Sequence, residues 1–556
     1  MFRHKIKILP VSLLASALLF PALASASAAQ DTPTAAKGKG FVSLRQLKSL
    51  STTADHSRFK ELQGPFTSGP QVTRACLSCH NKTGRQLRDK VHWTWHYTNP
   101  VTGQKLGKAI MVNNYCISAR GNEGICAKCH AGFGRSSPDY DLDKLENIDC
   151  LACHDGTGTY FKTVVTPGHP RVRALFTPKK PVPWTRAAQN IALPGRKNCG
   201  KCHFFGGGGD NAKHGDLSSV LFDPPRDVDV HMSRKGANLA CIDCHVGSGH
   251  KWAGSRYVMT VGDPGKRAPG APRAKATCTS CHTQAPHKKT SIIGIKLNGH
   301  VDKVACETCH IPAFARGGVA TKIFWDWSKA GKLKNGKPYK EGGYTQGNGK
   351  ERETYITLEG SLKYGENIRP TYRWFNGVMR YVTIATKIDP SRPVQINSFS
   401  GSYDDPGARI YPFKRMQTIQ PYDKGNKTLV YPHLWGDDPD AFWGNFDMGR
   451  AVARGMKDAG RPYSGQLGYV RSQSWWPINH MVAPKEKAVQ CDECHTRDNG
   501  RLANLAGFYM PGRDRWWWLD LLGWLAIFGA IALVIVHATL RIIAARKSTP
   551  VKEGKE

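Results

Sequence analysis

Two stretches of this chain are apolar almost without interruption, and they lie at its opposite ends. The first, Ile8–Ala22, follows a basic start (Arg3, His4, Lys5, Lys7) and runs into small residues at Ala22, Ala24, Ala26 and Ala28. A charged n-region, an apolar core and A-x-A cleavage positions read as a secretory signal over residues 1–28. The second stretch, Trp516–Leu540, is apolar apart from Asp520, His537 and Thr539. As a helix it covers roughly 37 Å, enough to cross a hydrocarbon core with some tilt. Trp516, Trp517 and Trp518 form an aromatic belt at one interface, and Arg541, Arg546, Lys547, Lys552 and Lys555 follow the other. The positive-inside rule places residues 542–556 in the cytoplasm and makes 514–541 a single-pass transmembrane helix. Arg513 and Arg515 oppose that orientation weakly, but an exported N-terminus dictates the same topology. The expected location is the inner (cytoplasmic) membrane, with the body in the periplasm.

Between these ends the apolar pattern is weak. Residues 29–50 form a polar leader, and residues 51–510 form the exported body. One helix is expected around Ala441–Lys457. Elsewhere short helices and long Gly/Pro-rich connections are expected, with almost no sheet in the first part. The fold class this implies is mainly α with extensive irregular loops.

Cysteine spacing explains why so little periodicity is needed. Sixteen of the seventeen cysteines fall in eight Cys-x-x-Cys-His motifs. These are Cys76-x-x-Cys79-His80, Cys126-x-x-Cys129-His130, Cys150-x-x-Cys153-His154, Cys199-x-x-Cys202-His203, Cys241-x-x-Cys244-His245, Cys278-x-x-Cys281-His282, Cys306-x-x-Cys309-His310 and Cys491-x-x-Cys494-His495. This is the attachment code for c-type haem: both thiols join the macrocycle and the histidine ligates the iron. Eight covalent haems are therefore the expected cofactors. Each is a large apolar body around which a chain can wrap, giving a compact multihaem core in place of a conventional one. The irregular spacing of the first seven motifs argues for one merged core over a duplicated unit. Residues 310–490 hold no further attachment motif and are rich in Tyr, Trp, Gly and Lys. They are expected to cover the haem cluster, with a separate domain as the alternative.

The formal charge is +36. Haem propionates would bring this down towards about +20, and the remainder still favours small anions and acidic or lipid-surface partners. Nucleic acid is not an expected partner for an exported chain.

The ligand opposite each motif histidine decides between electron transfer and catalysis. Apart from the motif residues, His4 and His537, eleven histidines remain: His56, His92, His96, His169, His214, His231, His250, His287, His300, His433 and His480. His250, His287, His300 and His480 lie within fifteen residues of a motif, His231 lies ten before Cys241, and His56 and His92 flank the first motif. These seven are the expected distal ligands, with His214 and then His96 as competitors.

Several segments closely resemble the octahaem tetrathionate reductase family. They are Gly64-Pro-Phe, Val72-Thr-Arg-Ala-Cys-Leu-Ser-Cys-His80, His92-Trp-Thr-Trp95, Asn113-Asn-Tyr-Cys116 and Cys199-Gly-Lys-Cys-His-Phe-Phe-Gly-Gly-Gly-Gly-Asp-Asn-Ala-Lys-His-Gly-Asp216. Asp229-Val-His-Met232, Cys306-Glu-Thr-Cys-His-Ile-Pro312 and Asn479-His-Met481 extend the likeness over most of residues 50–500. The resemblance implies that the haem of the second motif is the active site, with a lysine amine in place of a distal histidine and seven bis-His haems around it. The matching lysine is Lys213, and Asp210, Asn113 and Cys116 fall on the family's pocket positions. It also implies tetrathionate, nitrite or hydroxylamine as substrates.

The chemistry of these residues is consistent with that role. A lysine binds iron only as the neutral amine, which burial beside a cationic centre favours. A substrate would displace it more readily than imidazole, and the freed amine could be reprotonated to meet an anion. Asp210 could take that ammonium or relay protons. Cys116, the odd cysteine, could attack the S–S bond of a polythionate by thiol–disulfide exchange, or simply line the pocket. Missing Cβ atoms at Gly206–Gly209 could let backbone pass close to a porphyrin. The resulting expectation is a membrane-anchored periplasmic reductase fed by a quinol dehydrogenase or a periplasmic cytochrome. An oxidase similar to hydroxylamine oxidoreductase and a non-enzymatic electron conduit are the alternatives.

Overall fold

A computed structural model describes residues 54–113, 116–162, 182–261 and 276–547. The expected signal and leader segments, Asn114, Tyr115, His169 and residues 548–556 lie outside the described residues. Leu50–Glu556 form one compact unit.

From Asp55 to His310 the secondary structure is sparse. Its longest helix, Gly69–Cys79, starts with a proline in its first turn and ends at the first haem motif. Its buried face is small, Val72 and Thr73, with the Thr73 hydroxyl donating to the Ile148 carbonyl at 2.6 Å. Other motifs sit on single turns such as Glu123–Cys126, Leu151–His154 and Cys241–Cys244, and on the two-turn helix Arg196–His203. The only strands here, among the described residues, are two hairpins, Tyr97–Thr98 with Lys105–Leu106 and Gly247–Ser248 with Lys251–Trp252. Backbone contact is close where the first hairpin returns: a Cβ on Gly107 would sit 2.0 Å from the Trp95 carbonyl oxygen.

The cysteine-free segment departs from expectation. It forms a nine-stranded sheet, so the mainly-α assignment does not hold. Across the sheet the order is Val394–Gln395, Leu467–Pro477, Arg409–Asp423, Thr321–Asp326, Gly360–Gly365, Glu351–Ile356 and Lys340–Thr345; Thr371–Phe375 and Thr428–Leu429 also pair with Arg409–Asp423. The fifteen-residue strand Arg409–Asp423 is the spine. It runs antiparallel to Leu467–Pro477, from Phe413 opposite Pro477 to Asp423 opposite Leu467, and parallel to Thr321–Asp326. β-Branched and aromatic residues suit it to a pleated surface. Many of its inward positions are polar, namely Lys414, Thr418 and Gln420 on one strand and Ser472 and Ser474 on the next. That breaks the apolar alternation by which a half-buried strand is read.

Around the sheet lies the main apolar core, with Trp325, Trp327, Leu362, Met416, Val430, Phe442, Val452, Val470 and Trp476. The helix expected at Ala441–Lys457 is two helices, Phe442–Asn445 and Met448–Asp458, split where Phe446 takes a left-handed conformation (φ 62°). Asp447 caps the second by accepting from the Arg450 N–H. At the C-terminal end Trp517–Lys547 is one exposed helix, long and apolar enough to cross a membrane, and it runs past the expected boundary at 541.

Candidate haem centres and active site

Each motif turn ends on its histidine, and what that ring faces sorts the motifs into two kinds. Seven motif histidines face a second histidine. His56 lies across from His80 with ring centroids 6.4 Å apart, His92 from His203 at 6.2 Å, and His250 from His154 at 6.4 Å. His231 lies across from His282 at 6.1 Å, His480 from His245 at 6.3 Å, His287 from His310 at 6.3 Å, and His300 from His495 at 6.1 Å. An imidazole nitrogen sits about 2 Å from a metal it ligates, which puts the ring centre about 3 Å away. Two trans imidazoles on one iron therefore stand about 6 Å apart, and the separation recurs seven times here. The residues present fit bis-His haem. Backbone carbonyls orient several rings through the other ring nitrogen: His154 Nδ1 meets the Ala192 carbonyl at 3.0 Å, His245 Nδ1 that of Ala253 at 2.8 Å, and His495 Nδ1 that of Pro511 at 2.8 Å. His480 Nδ1 lies 3.0 Å from the Asp216 carboxylate.

His130, of the second motif, differs. Its ring stacks on Trp93 at 5.0 Å and meets Trp95 and Tyr140 edge-on, with Nε2 against the Trp93 carbonyl. The motif's surroundings are basic. Lys108 Nζ donates to the Cys126 carbonyl at 2.9 Å, and Arg135 lies 4.3 Å from the Trp95 ring centre. Lys213 is close enough for its charge to act on Cys126, Cys129 and Cys116. Its Nζ stands 5.1 Å from the centre of the Trp476 ring. Burial, and then the neighbouring cations Arg256 and Lys108, hold the Lys213 amine well below the ordinary lysine value.

The sheet holds the lysine's backbone. Lys414, buried on the spine strand, donates to the carbonyls of Ala212 and Lys213, both at 2.9 Å, and to Thr321 Oγ1 at 2.6 Å. Thr321 Oγ1 in turn donates to the Asn211 carbonyl at 2.6 Å, and Asn211 Nδ2 donates to the Val319 carbonyl at 2.8 Å. The segment 211–213 is thus fixed by polar groups that point inward from the strands.

Asp210 is held elsewhere: the Ser219 N–H donates to its carboxylate at 2.8 Å and the Ser219 hydroxyl donates to the other oxygen. Its carboxylate therefore fixes the turn Ser219–Phe222. Asn113 is buried and its amide reaches Gln420 of the spine strand, which donates on to Ser472 at 2.9 Å. Cys116 packs against the main core, and burial, then the Glu359 carboxylate, pushes its thiol pKa up, with Lys322 and Lys213 opposing. A raised value disfavours the thiolate that exchange chemistry needs. Gly206–Gly209 lies over the Lys322–Glu359 ion pair (2.6 Å): Cβ atoms on Gly208 and Gly209 would come within 3.6 Å of Lys322, Glu359 and Arg352.

The competing histidines are placed as well. His214 is half-buried beside Lys213, its ring 5.2 Å from Trp476, and among the described residues it stacks on no motif histidine. His433 bridges the Gly121 carbonyl at 2.8 Å and Asp438 at 2.7 Å, a structural tie. His96 is exposed.

Thiols from different motifs meet side by side: Cys76 with Cys150, Cys129 with Cys202, Cys199 with Cys241, and Cys278 with Cys306. Weaker electrostatic contacts join Cys153 to Cys199, Cys244 to Cys281 and Cys309 to Cys494. The motifs form one connected series with a branch at the fourth. Trp252 bridges two of them, 6.0 Å from His250 and 5.1 Å from His92.

The fold recurs in a solved structure. The crystal structure of octaheme cytochrome c from Shewanella oneidensis superposes with a TM-score of 0.68 at 35% identity, over 80% of this chain and 94% of that one. The chain belongs to the multihaem cytochromes c. A family model described as cytochrome c7 and related cytochrome c matches residues 225–315 of this cytochrome, and one described as cytochrome c bacterial matches residues 322–498. An uncharacterized protein of Archaeoglobus fulgidus is 28% identical over 262 residues, 38% of this chain and 85% of that protein. Covalent haem c follows from membership.

Four residues around Lys213 have no sequence motif to mark them: Lys108, Arg256, Lys414 and Trp476. The first three are ordinary members of a very basic chain, and only the Trp475-Trp476 doublet stands out in sequence.

Proposed function

We propose that this cytochrome is a reductase of small sulfur or nitrogen oxyanions and related compounds (tetrathionate, nitrite, hydroxylamine). It would be anchored in the inner membrane by Trp517–Lys547 with its body in the periplasm. Its eight motifs carry eight haems, and the second is the catalytic one. When bound, the haems supply one-electron transfer and, at the second motif, an iron with one replaceable ligand. Seven histidine pairs hold the other irons saturated and suited to relaying electrons. Lys213, as a neutral amine, and His130, once released from the Trp93 carbonyl, would hold the second iron. Once displaced, the amine takes up a proton and its charge faces the incoming anion. Lys414 keeps that amine in register. Electrons come from a quinol dehydrogenase or a periplasmic cytochrome, along the linked motifs.

The single observation that carries this reading is the asymmetry among the motif histidines: among the described residues seven face a second imidazole and His130 faces none, while Lys213 lies near its thiols. EPR and magnetic circular dichroism of the ferric protein test it. Wild type should show one amine-ligated haem, and Lys213→Met should lose that signal alone, together with turnover. Uniform imidazole pairs throughout would leave only the conduit.

A further inference from the structure

A second, half-buried cation shares the space around Lys213. Arg256 follows the hairpin that carries Trp252, and its guanidinium carbon stands 5.7 Å from the centre of the same Trp476 ring that Lys213 approaches at 5.1 Å. Its Nη2 donates to the Tyr257 hydroxyl at 2.7 Å and to the Met111 sulfur at 3.4 Å, and its carbon lies 4.8 Å from the Tyr257 ring. Tyr257 is itself fixed, stacked on Tyr97 at 4.9 Å and edge-on to Tyr381 at 5.5 Å, and its hydroxyl donates to Met111 at 3.4 Å. The guanidinium is therefore held at a set angle by a rigid aromatic wall. Among the cations acting on Lys213, Arg256 is the strongest.

Two cations converging on one indole in a partly buried space repel each other, and an anion placed between them relieves both. The two side chains suit different tasks. An amine can bind iron and leave; a guanidinium cannot, because it stays protonated and offers a planar fork to paired oxygens. We propose that Arg256 is the anion-positioning residue of the second-haem site. It would bind the paired oxygens of a nitrite or sulfonate group from the Trp476 side while Lys213 gives up the iron. This rests on the reductase reading above and adds to it a specificity determinant for anions over neutral ligands.

Optical titration of the holoprotein tests this without turnover. Ferric protein is titrated with nitrite and with thiosulfate, and ferrous protein with carbon monoxide as a neutral ligand, for wild type, Arg256→Gln and Arg256→Lys. Charge-assisted hydrogen bonds of this kind are worth enough that Arg256→Gln should weaken both anions by about 30-fold. Carbon monoxide affinity should stay within about twofold. Arg256→Lys should recover part of the anion affinity, since it keeps the charge and loses the fork. Haem content and the amine-ligated EPR signal, measured on the same samples, show whether the site remains folded. Anion affinity unchanged in Arg256→Gln, or anion and carbon monoxide affinities falling together, overturns the assignment while leaving the reductase reading intact. Failure of wild type to bind any of the three ligands overturns both.

Discussion

The cysteine-bearing part before His310 and the cysteine-free sheet after it are held together by different means. The first has small apolar clusters, such as Leu62, Val72, Leu151 and Tyr160, and single-turn helices whose thiols and imidazoles point at one another across haem-sized gaps. The second has a continuous core under a nine-stranded sheet, with Trp325, Trp327 and Phe442 fully buried. One region relies on its cofactors for apolar contact; the other relies on itself. The segment 211–213 lies where they meet, and the sheet holds it.

The largest expected effect follows from withholding haem. In chain made without haem attachment, amide exchange should approach unfolded rates at Arg196–His203 and Cys306–His310. The strands Arg409–Asp423 and Leu467–Pro477 should stay protected, because local stability tracks buried apolar contact. Simultaneous loss of both regions would erase the distinction. Next in size is damage to the sheet's core. Trp325 is fully buried and stacks on Trp327 at 5.0 Å, so Trp325→Ala should cost about 3–5 kcal/mol in denaturant unfolding of the holoprotein. The seven histidine-paired haem spectra should be unchanged until the sheet unfolds.

Lys414 probes the seam. Lys414→Met removes the donor shared by the Ala212 and Lys213 carbonyls, and each buried acceptor left unpaired costs about 1–3 kcal/mol. Stability should fall by about that amount. The amine-ligated EPR signal should broaden or shift with the other haem signals intact. A stable variant with an unaltered amine signal would show that the sheet covers the site without positioning it.

What could be read in the chain follows the same division. Attachment chemistry is written locally: five contiguous residues state a haem site, and distal candidates ranked by closeness to those motifs are the seven that the structure brings opposite motif histidines. The sheet is not written that way. Its strands turn Lys414, Thr418, Gln420 and Ser472 inward because those groups bind the site segment or one another, so the usual hydrophobic alternation is absent. For the same reason only the fold reveals Ser219 as the partner of the Asp210 carboxylate. Arg256 and Trp476 meet Lys213 from positions 43 and 263 residues away, a convergence no local spacing encodes.

The smallest effect concerns the acid limb of the sheet's stability. Asp423 ends the spine strand and is buried. Its carboxylate accepts from Ser464 N at 2.9 Å, the Ser464 hydroxyl, Asn426 N at 3.2 Å and Asn426 Nδ2 at 2.7 Å. Burial alone would push its pKa up, and the hydrogen bonds outweigh that and hold it below the usual carboxylate range. A carboxyl depressed in the folded state contributes stability above its unfolded value, near pH 4, and loses that contribution as pH falls through the lower folded value. Asp423→Asn should therefore cost about 1 kcal/mol at pH 7, because one oxygen becomes a donor facing donors. The gap from wild type should narrow as pH falls through that lowered folded value, where the native carboxyl becomes neutral as well. Denaturant unfolding followed by sheet circular dichroism at pH 7, 5 and 3 measures it. A gap independent of pH would mean that the substitution acts through shape, and that the turn closing the spine strand owes nothing to charge.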